Sequence, residues 1–216
     1  MMKVIEKKTL HEEIANNLRE LIMSGGLQEG DKIKEDELCS SMGISKTPLR
    51  EALRVLSVEG LIKLVPNRGS FVSTPTFEEI REMFDVMSVL EGICARAAAK
   101  KMSAKDLATL EKLHNKLEKN FKRRAQREYI RINNQFHSFV QELAGNRTLN
   151  QIVNGLRQKI LLYRYQSLNL PERFEQSIQE HRDLIEAFRK KDLKKAETLM
   201  RRHLKNQCDA LEKLAE

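Results

Sequence analysis

"SKTPLREALRVLSVEGLI", residues 45–62, decides how the rest of the chain is read. Leu49, Leu53 and Leu56 recur at the three-and-four spacing that lines one helical face. Pro48 fits a first turn, where its missing N–H costs nothing, and Gly60 marks the stop. Ser45, Lys46, Thr47 and Arg50 gather at the amino end, with Arg54 one turn further on. A helix amino terminus is already positive from its unpaired N–H groups, so cations added there suit an anion or the edge of a base. An ordinary amphipathic helix with a solvated basic face fits this stretch equally well, and the flanks must decide.

Upstream, Thr9-Leu10-His11-Glu12 has the spacing of a capping box. Ile14, Leu18, Leu21 and Ile22 carry an apolar stripe from there to Gly25-Gly26. "LQEGDKI", residues 27–33, reads as a loop, and a short helix is expected around Glu35 to Met42, stopped by Gly43. Downstream, "LIKLV" and "SFVST" have β-propensity and flank the turn-prone "PNRG", residues 66–69. Three helices and a two-stranded wing make a winged helix-turn-helix, whose third helix enters the major groove while the wing tip touches backbone or minor groove.

Charge supports this only by its placement. The chain of 216 residues has a formal net charge of +8, yet residues 1–75 hold 11 Lys plus Arg against 11 Asp plus Glu. Between Lys46 and Ser70, however, five cations face two acids. A domain that is neutral overall can still present one basic face. At 32% charged and 5% aromatic, with four Pro and nine Gly, the composition fits a mainly α chain and excludes disordered or all-β classes. No apolar run is long enough to cross a bilayer, and a cytoplasmic protein with no membrane partner is expected. Cys39, Cys94 and Cys208 lack a CxxC spacing and read as reduced thiols.

"TPTF", residues 74–77, forms a junction, placing a DNA-binding domain at 1–75 and a helical domain at 76–216. The second part carries stripes such as Ile80, Met83, Phe84, Met87, Leu90, Cys94 and Ala97. Further helices are expected over about Glu128 to Ala144, Leu149 to Ser167, Glu172 to Arg189 and Leu193 to the end, giving an all-α bundle of six or seven helices. Three of the five histidines fall on apolar faces. His181 stands in the series Phe174, Ile178, His181, Ile185, Phe188; His203 stands among Ala196, Met200 and Leu211; His137 shares a helix side with Asn133. One inward histidine is ordinarily a core residue with a hydrogen-bond partner. Three of them, from three helices, can converge on a metal. No Glu or Asp stands near them at a spacing suited to a general base.

Residues 9–73, with "TPLREAL" and "EGL...NRG..V", resemble the amino-terminal domain of the GntR family of bacterial transcription regulators. Residues 77–216, with "NNQFHSFVQELAGN", "EHRDLIEAFRKKD" and "AETLMRRHL", resemble the helical effector domain (FCD) of the FadR-type branch of that family. The resemblance implies DNA contacts from Ser45, Lys46, Thr47 and Arg50 and, in the wing, Asn67, Arg68 and Gly69. Where the family commonly has Arg, this chain has Lys46, which lacks the planar fork that grips guanine. The resemblance also maps a divalent-metal site onto Asn133, His137, His181 and His203, with Asn133 where Asp is commonest. Three imidazoles and an amide oxygen suit zinc, nickel or a similar ion. Met87 stands where relatives carry a cavity Arg that suits an organic acid; Arg96, Arg157 or Arg164 are the candidate substitutes, and Met87 itself reads more simply as core.

The function implied is a homodimeric, sequence-specific regulator, in the family's commoner mode a repressor, that reads an inverted repeat in double-stranded DNA. A small-molecule effector bound in the bundle alters operator affinity. A direct metal sensor is the alternative, and a metal-dependent enzyme a more distant one.

Overall fold

The computed structural model describes residues 9–73, 75–160, 163, 164, 167, 168 and 170–215. Thr74, within the expected junction, and parts of the expected Leu149–Ser167 helix lie outside them. The chain forms two compact units, Met1–Thr76 and Phe77–Glu216. Among the described residues there are nine α-helices and one two-stranded sheet, so the fold is mainly α.

In the first unit α1 (Leu10–Met23) begins as its capping sequence requires, with the Glu12 carboxylate accepting the Thr9 N–H at 2.9 Å. Helix α2 (Glu35–Met42) ends at Gly43 in the left-handed conformation. Helix α3 (Lys46–Val58) buries Leu49, Ala52, Leu53 and Leu56 against α1, which adds Ile14, Ala15, Leu18 and Ile22. Arg19 of α1 ties the two helices, donating through Nε and Nη2 to the Glu59 carboxylate at 2.9 and 2.7 Å. Strands β1 (Ile62–Val65) and β2 (Gly69–Val72) pair antiparallel, Ile62 opposite Val72. Asn67 and Gly69 turn the hairpin at positive φ, 59° and 104°.

The segment read as a loop does more than connect. Lys32 bridges to Phe71, and Gly30, Asp31 and Ile33 exchange backbone hydrogen bonds with Val72 and Ser70 at 2.8–3.0 Å. It lies along the wing as a third, irregular strand. "DKI" is too short and too charged to show a β period, so its pairing depends on β2 already being there.

The second unit comprises α4 (Phe77–Lys101), α5 (Ala104–Lys122), α6 (Gln126–Ala144), α7 (Arg147–Lys159), α8 (Pro171–Arg189) and α9 (Leu193–Ala215). Helix α4 packs against α9, α6 and α7, while α5 and α9 flank α8. Helix α7 ends at Lys159 with Ile160 as its cap, and Tyr163, Arg164 and Ser167, further along the expected helix, are again helical. Ile160 is buried beside Leu204 and Leu211. The largest core gathers Tyr129, Phe136, Phe174, Ile178, Leu184 and Phe188 from α6 and α8 with alanines of α4 and α9. No described helix is long and apolar enough to cross a membrane.

Candidate DNA interface and histidine centre

Ser45 caps α3 in extended backbone and makes no side-chain capping bond, so the amino-terminal N–H groups of the helix stay outward. Lys46, Thr47 and Arg50 are exposed on that end. Both cations are held in place by α2: the Lys46 ammonium meets Asp36 at 2.7 Å and Arg50 Nε donates to Glu35 at 2.9 Å. The Asp36 hydrogen bond and charge raise the Lys46 pKa. Asn67, Arg68 and Gly69 sit exposed at the hairpin tip. Exposed ion pairs of this kind contribute little to stability.

The second constellation is fully buried. His137 of α6, His181 of α8 and His203 of α9 are 0%, 0% and 1% exposed. One ring nitrogen from each lies within 4.8 Å of the others. Each is put there by the helical period read in the sequence. Neighbouring rings stack, His137 with His203 at 5.2 Å between centroids, while His181 meets His203 edge-on at 4.9 Å. Asn133, one turn before His137, accepts from His181 Nε2 through Oδ1 at 2.6 Å.

Two carboxylates that the sequence reading left out complete the centre. Glu91 of α4 accepts from His137 Nδ1 at 2.8 Å, and Glu180 of α8 accepts from His203 Nδ1 at 2.6 Å. Each is backed by arginine. Arg157 pairs with Glu91, and Arg173 donates to Glu180 at 2.8 Å, with Asn206 adding 2.6 Å. Glu91 lies in another helix, out of reach of any spacing argument, while Glu180 was in plain view beside His181. Neither is placed as a general base, because each oxygen that meets a histidine is already an anchor.

Burial acts on both carboxylates in the direction of neutrality, but Arg157 and His137 hold Glu91 well below the usual range, and the His203 hydrogen bond with Arg173 holds Glu180 at about 2. The histidines respond to the same burial in the opposite sense. Desolvation pushes His137 down to about 3, aided by Arg157, and pushes His181 and His203 down as well. All three are therefore neutral. The two anchored rings donate Nδ1–H to their carboxylates, leaving Nε2 of His137 and of His203 as lone pairs without a hydrogen-bond partner; His181 Nδ1 is likewise without one.

The remaining expected residues scatter. Arg157 and Arg164 are buried near the cluster, where Arg164 Nη1 donates to Asn134 at 2.6 Å. Arg96 is exposed and paired with Glu197 at 3.2 Å, so the structure does not bring it to the centre. Met87 is fully buried among Ile80, Phe84, Leu204 and Leu211, filling core. Burial also pushes the Cys94 thiol up to about 12 and Cys208 to about 11, leaving both protonated at neutral pH.

Residues 10–72 match the family model of bacterial regulatory proteins, gntR family, and residues 82–206, more than half the chain, match the FCD domain. The chain belongs to the GntR family. Within it, this GntR-family protein carries the FCD domain, in the FadR-type arrangement. It is 27% identical over 202 residues to the uncharacterized HTH-type transcriptional regulator YdhC of Bacillus subtilis, spanning 93% of this chain and 90% of that one. It is 23% identical over 205 residues to the HTH-type transcriptional repressor RspR of Escherichia coli, spanning 95% and 90%. Among solved structures E. coli McbR/YncC shares the fold with a TM-score of 0.80 at 19% identity, covering 97% of this chain and 100% of that one. This GntR-family chain is thus a transcriptional regulator with an FCD effector-binding domain.

Proposed function

We propose that this regulator acts in the cytoplasm as a homodimeric repressor. It reads an inverted repeat through Ser45, Lys46, Thr47 and Arg50 in the major groove and Asn67, Arg68 and Gly69 at the wing, and its operator affinity changes with a small ligand at a metal held in the bundle. The observation that carries the metal is the trio of neutral, buried imidazoles whose outward nitrogens have no partner. A buried polar atom left unpaired costs about 1–3 kcal/mol, and three in one spot form a centre short of an electrophile. Three imidazole nitrogens within 4.8 Å of one another are the kind of donor set that would hold a divalent ion such as zinc.

His137, His181 and His203 would hold the ion, with Asn133 as a weaker oxygen ligand once released from His181. Such an ion would supply a Lewis-acidic coordination position for an effector oxygen or water. Glu91 and Glu180 fix the donating tautomer of the rings they touch, the outer-shell role that carboxylates play beside metal-bound histidine. Arg157 and Arg164, which both donate to the Asn134 side-chain oxygen, would suit an anionic group of the effector.

Elemental analysis of untagged protein, followed by operator titration with the metal removed and restored, tests this reading. Stoichiometric zinc or nickel, with an operator affinity that responds to an added ligand only in the metal-loaded protein, is the expected result. A response to metal alone would make the ion itself the signal. Protein that purifies without metal and takes none up at micromolar excess would overturn the metal centre.

A further inference from the structure

Where α8 begins beside the end of α9, the two helices flank an open cavity of about 380 Å³. Leu170, Glu172, Arg173 and Gln176 line it from one side, Ala210 and Lys213 from the other. Such a volume suits a small organic molecule. Arg173 sets the chemistry, because its guanidinium is only 2% exposed. Nη2 donates to Glu180 Oε2 at 2.8 Å and reaches the His203 carbonyl at 3.4 Å. Nε and Nη1 have no hydrogen-bond partner among the described residues. Glu180 is already committed: Oε2 also accepts from His203 Nδ1, and Oε1 accepts from Asn206 Nδ2 at 2.6 Å. Buried donors left unpaired are costly, most of all on a charged group, and the cavity that Arg173 lines is open space from which an acceptor can come.

The surroundings say which acceptor. Guanidinium N–H groups make their strongest bonds to a carboxylate or phosphate. Lys213 adds a cation on the exposed rim, and Leu170 caps α8 without a side-chain capping bond, so the positive end of the helix is unopposed there. Glu172 acts against an anion, but it is exposed and water screens it. Leu170 and Ala210 give the cavity an apolar wall, which an inorganic anion would leave uncovered. The position of the cavity matters too. Arg173 and His203 share one oxygen, Glu180 Oε2, so the cavity lies behind His203 Nδ1, while His203 Nε2 points the other way across the ring.

We propose that this cavity is a second small-ligand site, which takes an organic carboxylate with an apolar body on Arg173 and Lys213 and transmits its occupancy to His203 through Glu180. A carboxylate on Arg173 competes with Glu180 for the guanidinium and so alters the hold on the ring. The site is separate from the metal centre and stands without it.

Titration of the full-length protein with naphthoate, read by fluorescence anisotropy with and without EDTA, tests the site. Saturable binding that EDTA leaves unchanged is expected. Arg173→Lys keeps a cation for Glu180 but loses the planar N–H set, and Ala210→Met fills the cavity; each should weaken binding at least about tenfold with helical content unchanged. Lys213→Glu, a surface change, should weaken it about threefold. Naphthamide, which has the shape without the charge, and inorganic phosphate, which has the charge without the apolar body, should each bind at least about tenfold more weakly. In isotope-labelled parent protein the His203 Nδ1 resonance should move as naphthoate binds. A parent that takes up no naphthoate at millimolar concentration, binding that EDTA abolishes, phosphate that binds more tightly than naphthoate, or variants that bind like the parent would each overturn the site. A His203 resonance that stays still at saturation overturns the link to the histidine.

Discussion

Glu91 meets His137 on one side and Arg157 on the other, so one carboxylate satisfies a ring N–H and a buried guanidinium together. Truncating it strands a buried charge, and Glu91→Ala is expected to lose about 3–5 kcal/mol of unfolding free energy in chemical denaturation. Glu180→Gln keeps the shape and an acceptor for His203 but removes the charge that raises ring basicity. It should weaken metal binding about 10–100-fold in chelator competition while the protein stays folded. The pH dependence follows from the same burial. His137 falls from 6.5 to about 3 in the folded chain, so between those values the unfolded state binds the extra proton. Stability is therefore fully present above about pH 6.5 and is lost as pH falls below it, by roughly 1.4 kcal/mol per pH unit for each histidine that stays neutral. His181 and His203 shift the same way. Denaturation midpoints at pH 7.5 and 5.5 should show the loss, and bound metal should leave over the same range because protons compete for its ligands.

At the scale of elements, the proposed reading has α3 and the wing divide the work on DNA. A bidentate base contact from Arg50 would carry about 1–3 kcal/mol of discrimination, so Arg50→Ala should lower the preference for the operator over random sequence by about that much per half-site. Arg68→Ala at the hairpin tip is expected to weaken binding more evenly and to lower the salt slope by about one. Both are measured by operator titration across a salt series; unchanged affinity in a folded Arg50→Ala would remove α3 from the groove. Lys46→Arg restores the planar fork and should shift the preferred base toward guanine at one position in site selection from random DNA. The wing itself depends on Gly69. Its φ of 104° is barred to side chains, and a Cβ there would stand 3.3 Å from Lys32 Cε, so Gly69→Ala should cost roughly 1–3 kcal/mol in thermal or chemical unfolding.

For the molecule as a whole, two compact units imply two unfolding events, with the histidine centre wholly inside the second. Calorimetry of the metal-free chain should resolve two transitions. Metal at a hundred times its dissociation constant should stabilise the FCD transition by about 2.7 kcal/mol, since an ion that binds only the folded state adds its binding free energy to it. A scan in which metal moves neither transition would place the ion elsewhere.

The sequence by itself determined everything that repeats at a helical or strand period. The stripe Leu49, Leu53, Leu56, the caps at Thr9 and Gly43, the hairpin around Asn67, and the inward placement of His137, His181 and His203 all follow from local spacing, because side-chain direction in a regular element is fixed by position along it. Local spacing is silent on which elements meet. Only the tertiary structure set Glu91 of α4 against His137 of α6, laid residues 30–33 along β2, capped α7 at Ile160 and turned Arg96 to the surface. The protonation of the centre belongs to this second class. A histidine written in a sequence has an ordinary pKa, and it becomes a neutral ring with one fixed N–H only when other helices strip its water and place a carboxylate at its back.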